Sequence, residues 1–273
     1  MKPIIKWAGG KTQLIKEIKN YFPKDFKRYV EPFLGGGSMF FSIDQKIPCI
    51  INDINEELFN LYNEVKDNPE KIIKKLDEYS SVYSEEFYYE LRSVVLQNNI
   101  ERAARTIFLN KTCFNGLYRV NSKGLYNVPF GKKATCPNLY DNDNFKEVSE
   151  YLKTATLFNK DFKEIITLSE KNDLIYCDPP YEPISSTSFV AYNKMKFSQE
   201  EQIKLKEACL VAKEKGAFVL VSNSDSPFIL DLYKDQKIVF LEVKSGKSTL
   251  NKNEQMIKKC IEEKKVFYEI WKN

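Results

Sequence analysis

The chain has 273 residues and a net charge of +4, and it contains no histidine. Without imidazole it cannot form Ser-His-Asp or Cys-His nucleophile pairs or a His-ligated zinc or iron site, so any general base must be a carboxylate, lysine or tyrosine. The cysteines form no Cys-x-x-Cys pair, and the N-terminal residues do not have the apolar core of a signal peptide. We therefore expect a cytoplasmic protein without a metal site.

Short runs of β-branched and aromatic residues predict the strands of an α/β fold. Helical segments lie between several of them. One helix is predicted over 198–215, where Ser198 and Glu201 form a capping box and Gly216 ends the helix. This alternation predicts a mainly parallel, doubly wound sheet. The predicted strands are 28–31, 49–52, 156–159, 174–177, 218–222 and 238–243.

Helical periodicity replaces the strand pattern between about residues 57 and 110. Four apolar stripes predict four helices, and the second is expected to begin with Asn68 as N-cap and Pro69 in its first turn. The stripes are Leu58, Tyr62 and Val65; Ile72, Ile73, Leu76 and Tyr79; Phe87, Leu91, Val94 and Val95; and Ala103, Ala104, Ile107 and Phe108.

A hairpin is predicted at about 117–130, because Ser122, Lys123 and Gly124 form a turn signal between aromatic and β-branched residues. We interpret residues 57–153 as a helical insertion that carries this hairpin. Residues 1–56 and 154–273 would then form one sheet domain.

The stretch from Arg102 to Tyr140 carries seven basic residues and no Asp or Glu. A polyanion is the natural partner of such a stretch. Charge alone leaves a second interpretation open, a solvated basic face without a partner. The basic residues are Arg102, Arg105, Lys111, Arg119, Lys123, Lys132 and Lys133.

A glycine turn follows the first predicted strand, in the sequence EPFLGGGS at 31–38. Glycines at such a turn let the backbone approach a ligand closely. Phe40 stands where a GxGxxG fingerprint needs its third glycine, so a pyrophosphate is disfavoured. Asp53 follows the second strand, where an acid binds ribose hydroxyls. Together these features indicate an adenosine-type cofactor without pyrophosphate. Alone, a glycine turn is structural about as often as functional, and an acid at the end of a strand is structural more often.

The sequence WAGGKT at 7–12 approaches a Walker A loop, but Ile5 stands where that template requires glycine. Phosphate binding is therefore disfavoured. Trp7 offers an aromatic face and Lys11 a cation, which would suit a cofactor that bears a carboxylate. The alternative is that Trp7 is a core residue and Lys11 a surface charge.

The sequence LIYCDPPY at 174–181 ends a buried-type strand in a carboxylate and two prolines. The prolines stiffen the chain and remove two backbone donors, which leaves the carbonyls there free to face a ligand. The Asp178 carboxylate and a neighbouring carbonyl could accept both hydrogens of an exocyclic amine, while Tyr181 stacks on a planar base. This predicts a site that directs an aromatic amine at an electrophile.

Five motifs of the chain resemble, in their order, those of the Dam-like, D12-class DNA adenine-N6 methyltransferases of the alpha group. The motifs extend over nearly the whole chain and are WAGGK, EPFLGGGS, NDIN, FNGLYRVNSKGLYNVPFG and DPPY. The resemblance implies a Rossmann-like methyltransferase sheet, an inserted helical target-recognition domain and duplex DNA as substrate. It also implies S-adenosyl-L-methionine (AdoMet) as methyl donor. The cofactor-binding positions that it implies are Trp7, Lys11, Phe33, Gly35, Gly37, Asp53 and Asp178.

The same resemblance, with base-flipping chemistry, assigns the catalytic role to Asp178, Pro179, Pro180 and Tyr181. Asp178 and the Pro179 carbonyl would accept the amine hydrogens of a flipped adenine. The implied recognition sequence is GATC. The residues expected to contact DNA are Lys6, Phe114, Asn115, Leu117, Arg119, Lys123, Pro129, Lys132 and Lys133, with Lys111 and the 244–252 loop as further phosphate contacts.

Within this set, Phe114 and Leu117 would press on the opened duplex beside Asn115. Arg119 would read one guanine, and Lys6 matches the lysine that contacts the first guanine in GATC-recognising members. Some members carry tyrosine at the position of Phe114.

Three other functions stay open: an N-methyltransferase for RNA or another amine, a nicotinamide-dependent oxidoreductase, and a catalytically silent DNA-binding relative. The missing third glycine disfavours the oxidoreductase, and the intact 178–181 motif disfavours the silent module. We expect a monomer in solution. A restriction endonuclease that acts on the same site is a candidate partner.

Overall fold

The computed structural model describes residues 1–183, 197–237 and 239. Its strands are β1 (Arg28–Glu31), β2 (Cys49–Asn52), β3 (Ala155–Phe158), β4 (Asp173–Cys177) and β5 (Phe218–Val221). They form one parallel sheet in the order β3-β2-β1-β4-β5. The predicted parallel sheet is confirmed, and the ends of these strands lie within one residue of the predicted ends. The predicted strand at 238–243 falls outside the described residues apart from Val239.

The helices of the described residues lie between and beside these strands. They are α1 (Ile15–Lys19), α2 (Glu56–Asp67), α3 (Pro69–Ser81), α4 (Glu85–Ser93), α5 (Asn99–Thr112), α6 (Asn142–Leu152), α7 (Phe162–Thr167), α8 (Gln199–Glu214) and α9 (Pro227–Leu232). None of them is long and apolar enough to cross a membrane. The predicted capping of α8 is confirmed in part. The Ser198 hydroxyl accepts the Glu201 amide at 3.3 Å and Gly216 follows with φ of 91°, but the Glu201 carboxylate accepts Lys204 Nζ at 2.6 Å, and no hydrogen bond from the Ser198 amide to it is found among the described residues.

One detail of the predicted helices is wrong. Val94 and Val95 do not continue the buried stripe of α4 but lie beyond its end, 39% and 68% exposed. Arg105 ends this helix by donating to the Leu91 and Arg92 carbonyls at 2.8 and 2.7 Å, which a further turn would need for its own amides. The predicted start of α3 is confirmed, because Asn68 is its N-cap and Pro69 lies in its first turn, although the Asn68 side chain caps no amide of that helix.

Alternate residues of the strands face two buried layers, as expected for a sheet covered on both sides. Tyr29 and Tyr176 belong to a cluster that continues into α2, α3, α5 and α6. Val30 and Ile175 belong to a second cluster with residues of α7, α8 and α9. The predicted insertion thus packs its apolar residues against one face of the sheet. Its proposed boundaries near 57 and 153 remain a prediction.

Residues 113–130 run through two isolated antiparallel bridges, Cys113 with Phe130 and Val120 with Tyr126. The Asn121 amide donates to the Leu125 carbonyl at 2.8 Å, and Gly124 has φ of 78° at the turn between them. The predicted reversal at 122–124 is therefore a tight, glycine-dependent turn without a continuous ladder.

The strand order brings the carboxyl ends of β1 and β4 together where the connections run in opposite directions. Ligands of open α/β sheets bind in the crevice at this point. The chain leaves β1 into the glycine turn at 35–37, leaves β2 at Asp53 and leaves β4 at Asp178. The fold thus gathers three of the predicted motifs at one edge of the sheet.

Candidate active site

The glycine turn after β1 is tied directly to the acid after β2. The Gly35 amide donates to Asp53 Oδ2 at 2.8 Å, and the Asn55 amide donates to Asp53 Oδ1 at 2.9 Å. On the other side, the Tyr62 hydroxyl donates to the Gly35 carbonyl at 2.9 Å. Each Asp53 oxygen keeps a second lone pair that could accept a ligand hydroxyl.

Trp7 packs on this glycine turn. Gly35 has φ of +51°, and a Cβ added there would lie 2.8 Å from Trp7 Nε1. The indole is half-buried and lies 4.8 Å from the Tyr118 ring, centroid to centroid. Trp7 therefore combines the two roles weighed from the sequence: it packs against the core and it lines the turn expected to hold a ligand.

Lys11 and Asp178 form an ion pair across the crevice. Lys11 Nζ lies 2.7 Å from Asp178 Oδ2 and 2.7 Å from the Gly9 carbonyl oxygen. The two side chains are only 12% and 20% exposed, so Lys11 is not the surface charge of the alternative interpretation. Its ammonium also lies 4.8 Å from the centre of the Tyr181 ring. Residues 11, 178 and 181 therefore share one site.

The second oxygen of Asp178 is buried, and no residue that the structure describes hydrogen-bonds to it. Burial raises the pKa of Asp178, while Lys11 and the nearby Tyr181 hydroxyl oppose that rise. A buried acceptor without a partner is costly unless a ligand supplies the donor. This oxygen lies at the carboxyl end of β4, where the fold predicts a ligand.

Two further carboxyl groups stand beside Asp178 at the ends of the strands. Burial raises the pKa of Asp53 to about 6. Burial also raises the pKa of Glu31 well above its usual value, although the Tyr29 hydroxyl, which donates to it at 2.8 Å, opposes the shift. Three carboxyl groups with raised pKa values at one sheet edge are typical of a functional site.

The two proline carbonyls after Asp178 differ in their surroundings. The Pro180 carbonyl accepts Gln202 Nε2 from α8 at 3.0 Å, so the expectation that both carbonyls are open to a ligand is wrong for Pro180. Among the described residues, no hydrogen bond to the Pro179 carbonyl is found. The structure is therefore compatible with the acceptor role of Pro179, which stays a prediction.

Buried Asn110 joins the N-terminal motif to the predicted DNA-contacting loop. Its Oδ1 accepts the Lys6 amide at 2.8 Å, and its Nδ2 donates to the Lys6 and Gly116 carbonyls at 2.8 and 3.1 Å. The tip of the loop is exposed at Phe114 and Asn115, where Asn115 has φ of 54°. Leu117 is instead partly buried against the core.

The predicted basic stretch divides into internal and outward-facing groups. Arg102 pairs with Glu56 and Glu57, and Arg105 caps α4, so the structure gives both residues an internal role. Lys123, Lys132, Lys133 and the adjacent Pro129 are exposed. Burial lowers the pKa of Lys111, and the charges of Lys6 and Lys133 add to this effect, which places three lysines close together.

Arg119 is held by one residue of the hairpin. Its Nε donates to Asn127 Oδ1 at 2.7 Å, and its Nη2 donates to the Asn127 carbonyl at 3.1 Å. These bonds use the Nε edge of the guanidinium. The opposite edge, which carries Nη1, keeps the paired donors that a guanine requires.

Replacing Asn110 by leucine is expected to destabilise the protein by about 3 kcal/mol, because buried backbone groups of Lys6 and Gly116 lose their partner. The matched control is Asn60→Leu, since the Asn60 side chain makes one hydrogen bond within the described residues, to the Asn99 carbonyl. That variant should lose only about 1 kcal/mol. Urea unfolding would measure both values, and equal losses for the two variants would contradict the bridging role of Asn110.

Several residues of the site carry no functional signal in the sequence. Asn110 interrupts the apolar stripe of α5, and Glu31 is a single acid at the end of β1. Both positions indicate a buried polar contact but no function. Gln202 hydrogen-bonds to the 178–181 segment, and Asn223 hydrogen-bonds to Gln202. They lie in a helix and a loop whose sequences show no distinguishing pattern. Among the described residues no cluster of Cys, Asp and Glu could hold a metal ion.

A parallel sheet with a glycine turn after β1, an acid after β2 and a buried carboxylate after β4 is typical of α/β enzymes that use nucleoside-type cofactors. A family model for D12 class N6 adenine-specific DNA methyltransferases matches residues 7–246. The chain belongs to this family, and it is an adenine-specific DNA methyltransferase. A second model, for an endonuclease related to archaeal Holliday junction resolvase, matches only residues 224–273.

Known proteins of similar sequence agree with this membership. The chain is 39% identical over 251 residues to Type II methyltransferase M1.LlaDCHI of Lactococcus lactis subsp. cremoris, over 89% of this chain and 88% of that protein. It is 40% identical over 245 residues to Type II methyltransferase M.MjaIII of Methanocaldococcus jannaschii, over 82% and 84%. It is 33% identical over 264 residues to the DNA adenine methylase of Haemophilus influenzae, over 94% and 91%.

Proposed function

We propose that this enzyme transfers the methyl group of AdoMet to N6 of an adenine that is flipped out of duplex DNA, within the sequence GATC. One observation carries the proposal: Asp178 presents a buried oxygen that accepts no hydrogen bond from the part of the chain that the structure describes, at the sheet edge where open α/β folds bind ligands. An exocyclic amine is a donor that this oxygen could accept. The adenine amine is buried in paired DNA, so the base must leave the stack to reach it.

The residues around the crevice fit AdoMet. Asp53 would accept the ribose hydroxyls with the lone pairs that the Gly35 and Asn55 amides leave open. Gly35 and Gly37 give the turn its positive φ angles of 51° and 71°, which let its backbone approach a ligand. We propose that Trp7, Lys11 and Phe33 complete the cofactor site, with Lys11 near the cofactor carboxylate.

The protein's part in the chemistry is positioning and electrostatics. When bound, AdoMet supplies an electrophilic methyl carbon. Asp178 Oδ1 and the Pro179 carbonyl would accept the two N6 hydrogens and so orient the nitrogen lone pair. Tyr181 would stack on the adenine ring. Lys11 holds Asp178 Oδ2 at 2.7 Å, which fixes the direction of the other oxygen.

AdoMet binding should weaken as the pH falls through about 6, because burial raises the pKa of Asp53 to about 6 and only the carboxylate binds ribose hydroxyls well. The dissociation constant should be flat above neutral pH and rise about tenfold per pH unit below the pKa. Isothermal titration calorimetry across this pH range measures the effect. Asp53→Asn is the control: it should bind weakly with a flat profile, and a wild-type slope in that variant would remove Asp53 from the role.

On the DNA side, we propose that Phe114 and Asn115 contact the opened duplex, with Leu117 supporting them from its partly buried position. Arg119 would read a guanine with its outward edge, and Lys6 would contact the first guanine of GATC. Lys111, Lys123, Lys132 and Lys133 would bind phosphates beside Pro129, and the 244–252 loop, which lies outside the described residues, is proposed as a further contact. Phosphate contacts make binding sensitive to salt without selecting a sequence.

Arg119→Ala should relax the preference at one base pair and cost about 1–3 kcal/mol of discrimination there. Competition binding with oligonucleotides that carry each single-base change measures this. Lys123→Ala is the matched control, because it removes an exposed basic residue of the same hairpin and should weaken all sequences equally. A uniform loss of affinity in Arg119→Ala would make Arg119 a phosphate contact.

The direct test of the proposed function is to methylate a plasmid library with the purified enzyme and AdoMet, and to map N6-methyladenine by sequencing. We expect modified adenines only within GATC. Modification within another sequence would refute the proposed GATC specificity but not the proposed methyl transfer to adenine. Transfer to RNA in preference to duplex DNA would refute the proposed substrate.

We further propose a restriction endonuclease that acts on the same site as partner. The names of two similar proteins, both type II methyltransferases, support this proposal. We also propose that the enzyme is a monomer in solution.

A further inference from the structure

A pair of carboxamide side chains lies behind the 178–181 segment. Gln202 of α8 is completely buried. Its Nε2 donates to the Pro180 carbonyl at 3.0 Å, and its Oε1 accepts Asn223 Nδ2 at 2.9 Å. Asn223 belongs to the loop after β5. The pair therefore links a helix, a loop and the proline segment through consecutive hydrogen bonds.

Asn223 extends this contact to the other side of Tyr181. Its Oδ1 accepts the Glu182 amide at 3.2 Å and the Ser224 amide at 2.9 Å. The Ser224 hydroxyl donates to the Glu182 carbonyl at 2.6 Å. The Pro180 carbonyl and the Glu182 amide belong to the two peptide groups that flank Tyr181. Both peptide groups are thus held by one carboxamide pair.

The segment needs such support because it has left the sheet and its prolines offer no amide donors. Tyr181 is 43% exposed, so packing alone does not fix its ring. Within the described residues, neither carboxamide is among the buried polar groups without a partner. A buried polar network that is satisfied specifies one arrangement of the groups it joins. Here the groups joined are the backbone on both sides of the proposed stacking residue.

We propose that Gln202 and Asn223 are positioning residues of methyl transfer. They fix the Tyr181 ring and occupy the Pro180 carbonyl, so that Asp178 Oδ1 and the Pro179 carbonyl alone face the amine. This inference rests on the proposed function of the 178–181 segment. It adds two residues that touch neither the cofactor nor the base, and it assigns the two proline carbonyls different tasks.

The first test is Gln202→Met, which keeps the length of the side chain but cannot donate to the Pro180 carbonyl. A displaced acceptor or stacking ring should reduce the single-turnover rate constant up to about 100-fold, while the dissociation constants for AdoMet and DNA stay within about twofold of wild type. The matched control is Gln199→Met. Gln199 lies one turn earlier on α8, and among the described residues its side chain hydrogen-bonds to the Glu182 side chain alone, at 2.7 Å, so the rate constant of this variant should be unchanged.

Asn223→Ala is the second variant, at a less buried position, and it should show the same loss. The double variant Gln202→Met/Asn223→Ala should be no slower than either single variant, because the pair acts as one unit. With 2-aminopurine at the target position, both variants should fluoresce more strongly than wild type at saturation, since the flipped base is no longer stacked.

Rate constants within twofold of wild type in Gln202→Met and Asn223→Ala, with unchanged fluorescence, would overturn the inference. The proposed function would survive that result, because the wild-type enzyme is assayed in parallel. If the wild-type enzyme itself left DNA unmodified, the proposed function would fail instead.

Discussion

Replacing Asp178 by alanine should reduce the single-turnover rate constant of methyl transfer to duplex DNA by about 10³-fold, the scale seen when one preorganised electrostatic group is removed. The variant loses the buried oxygen that would accept the adenine amine, and Lys11 loses its partner at 2.7 Å. Rapid-quench measurement at saturating AdoMet and DNA isolates this step from binding. A rate constant within fivefold of wild type would show that Asp178 does not orient the amine.

Asp178→Asn tests the contribution of the negative charge of Asp178 while the shape of the side chain is kept. It keeps one acceptor oxygen but removes the negative charge, so we expect an intermediate loss of about 10²-fold. Burial raises the pKa of Asp178, although Lys11 opposes the shift, so the stability contributed by this group falls as the pH rises through its folded-state pKa. The neutral asparagine should therefore unfold no earlier than wild type at pH 8, and the loss of rate would not reflect a loss of fold.

Replacing Gly35 by alanine should weaken AdoMet binding by about 100-fold, which corresponds to about 3 kcal/mol. A Cβ at this position meets Trp7 Nε1 at 2.8 Å, and the residue has φ of +51°. The strain of a left-handed alanine, about 1–2 kcal/mol, lowers the stability of the protein whether or not AdoMet is bound. The loss of affinity is expected from displacement of Trp7 from the turn. Calorimetric titration with AdoMet measures the affinity directly.

Gly124→Ala is the control for backbone strain alone. Gly124 also has a positive φ, +78°, but no heavy atom lies within 4 Å of a Cβ added there. This variant should lose about 1 kcal/mol of stability and bind AdoMet as wild type does. Equal AdoMet affinities for the Gly35 and Gly124 variants would contradict the contact between Trp7 and the cofactor turn.

The sheet was predictable because its strands are buried on both faces and therefore appear as short continuous apolar runs. Arg28–Glu31 and Cys49–Asn52 end where the pattern ends. The glycine turn, Asp53 and Asp178 were predictable for a related reason. Parallel strands present their carboxyl ends at one edge, so residues that follow each strand come together without any signal in their sequence separation.

The remaining features depend on contacts between elements that periodicity does not encode. Val94 and Val95 continue the apolar spacing of α4, yet Arg105, from the next helix, takes the carbonyls that a longer helix would use. The Pro180 carbonyl looked open because prolines lack donors, but its partner comes from Gln202, in a different helix. Hydrogen bonds between distant side chains and backbone groups decide both cases.

The central claim is that Asp178 Oδ1 receives the amine of a flipped adenine. A crystal structure of the enzyme with a DNA duplex that carries its methylation site and an unreactive AdoMet analogue tests it directly. We predict that the target adenine lies outside the stack, with N6 within hydrogen-bonding distance of Asp178 Oδ1 and the Pro179 carbonyl. An adenine that stays paired in the duplex, or an amine directed away from Asp178, would contradict the account.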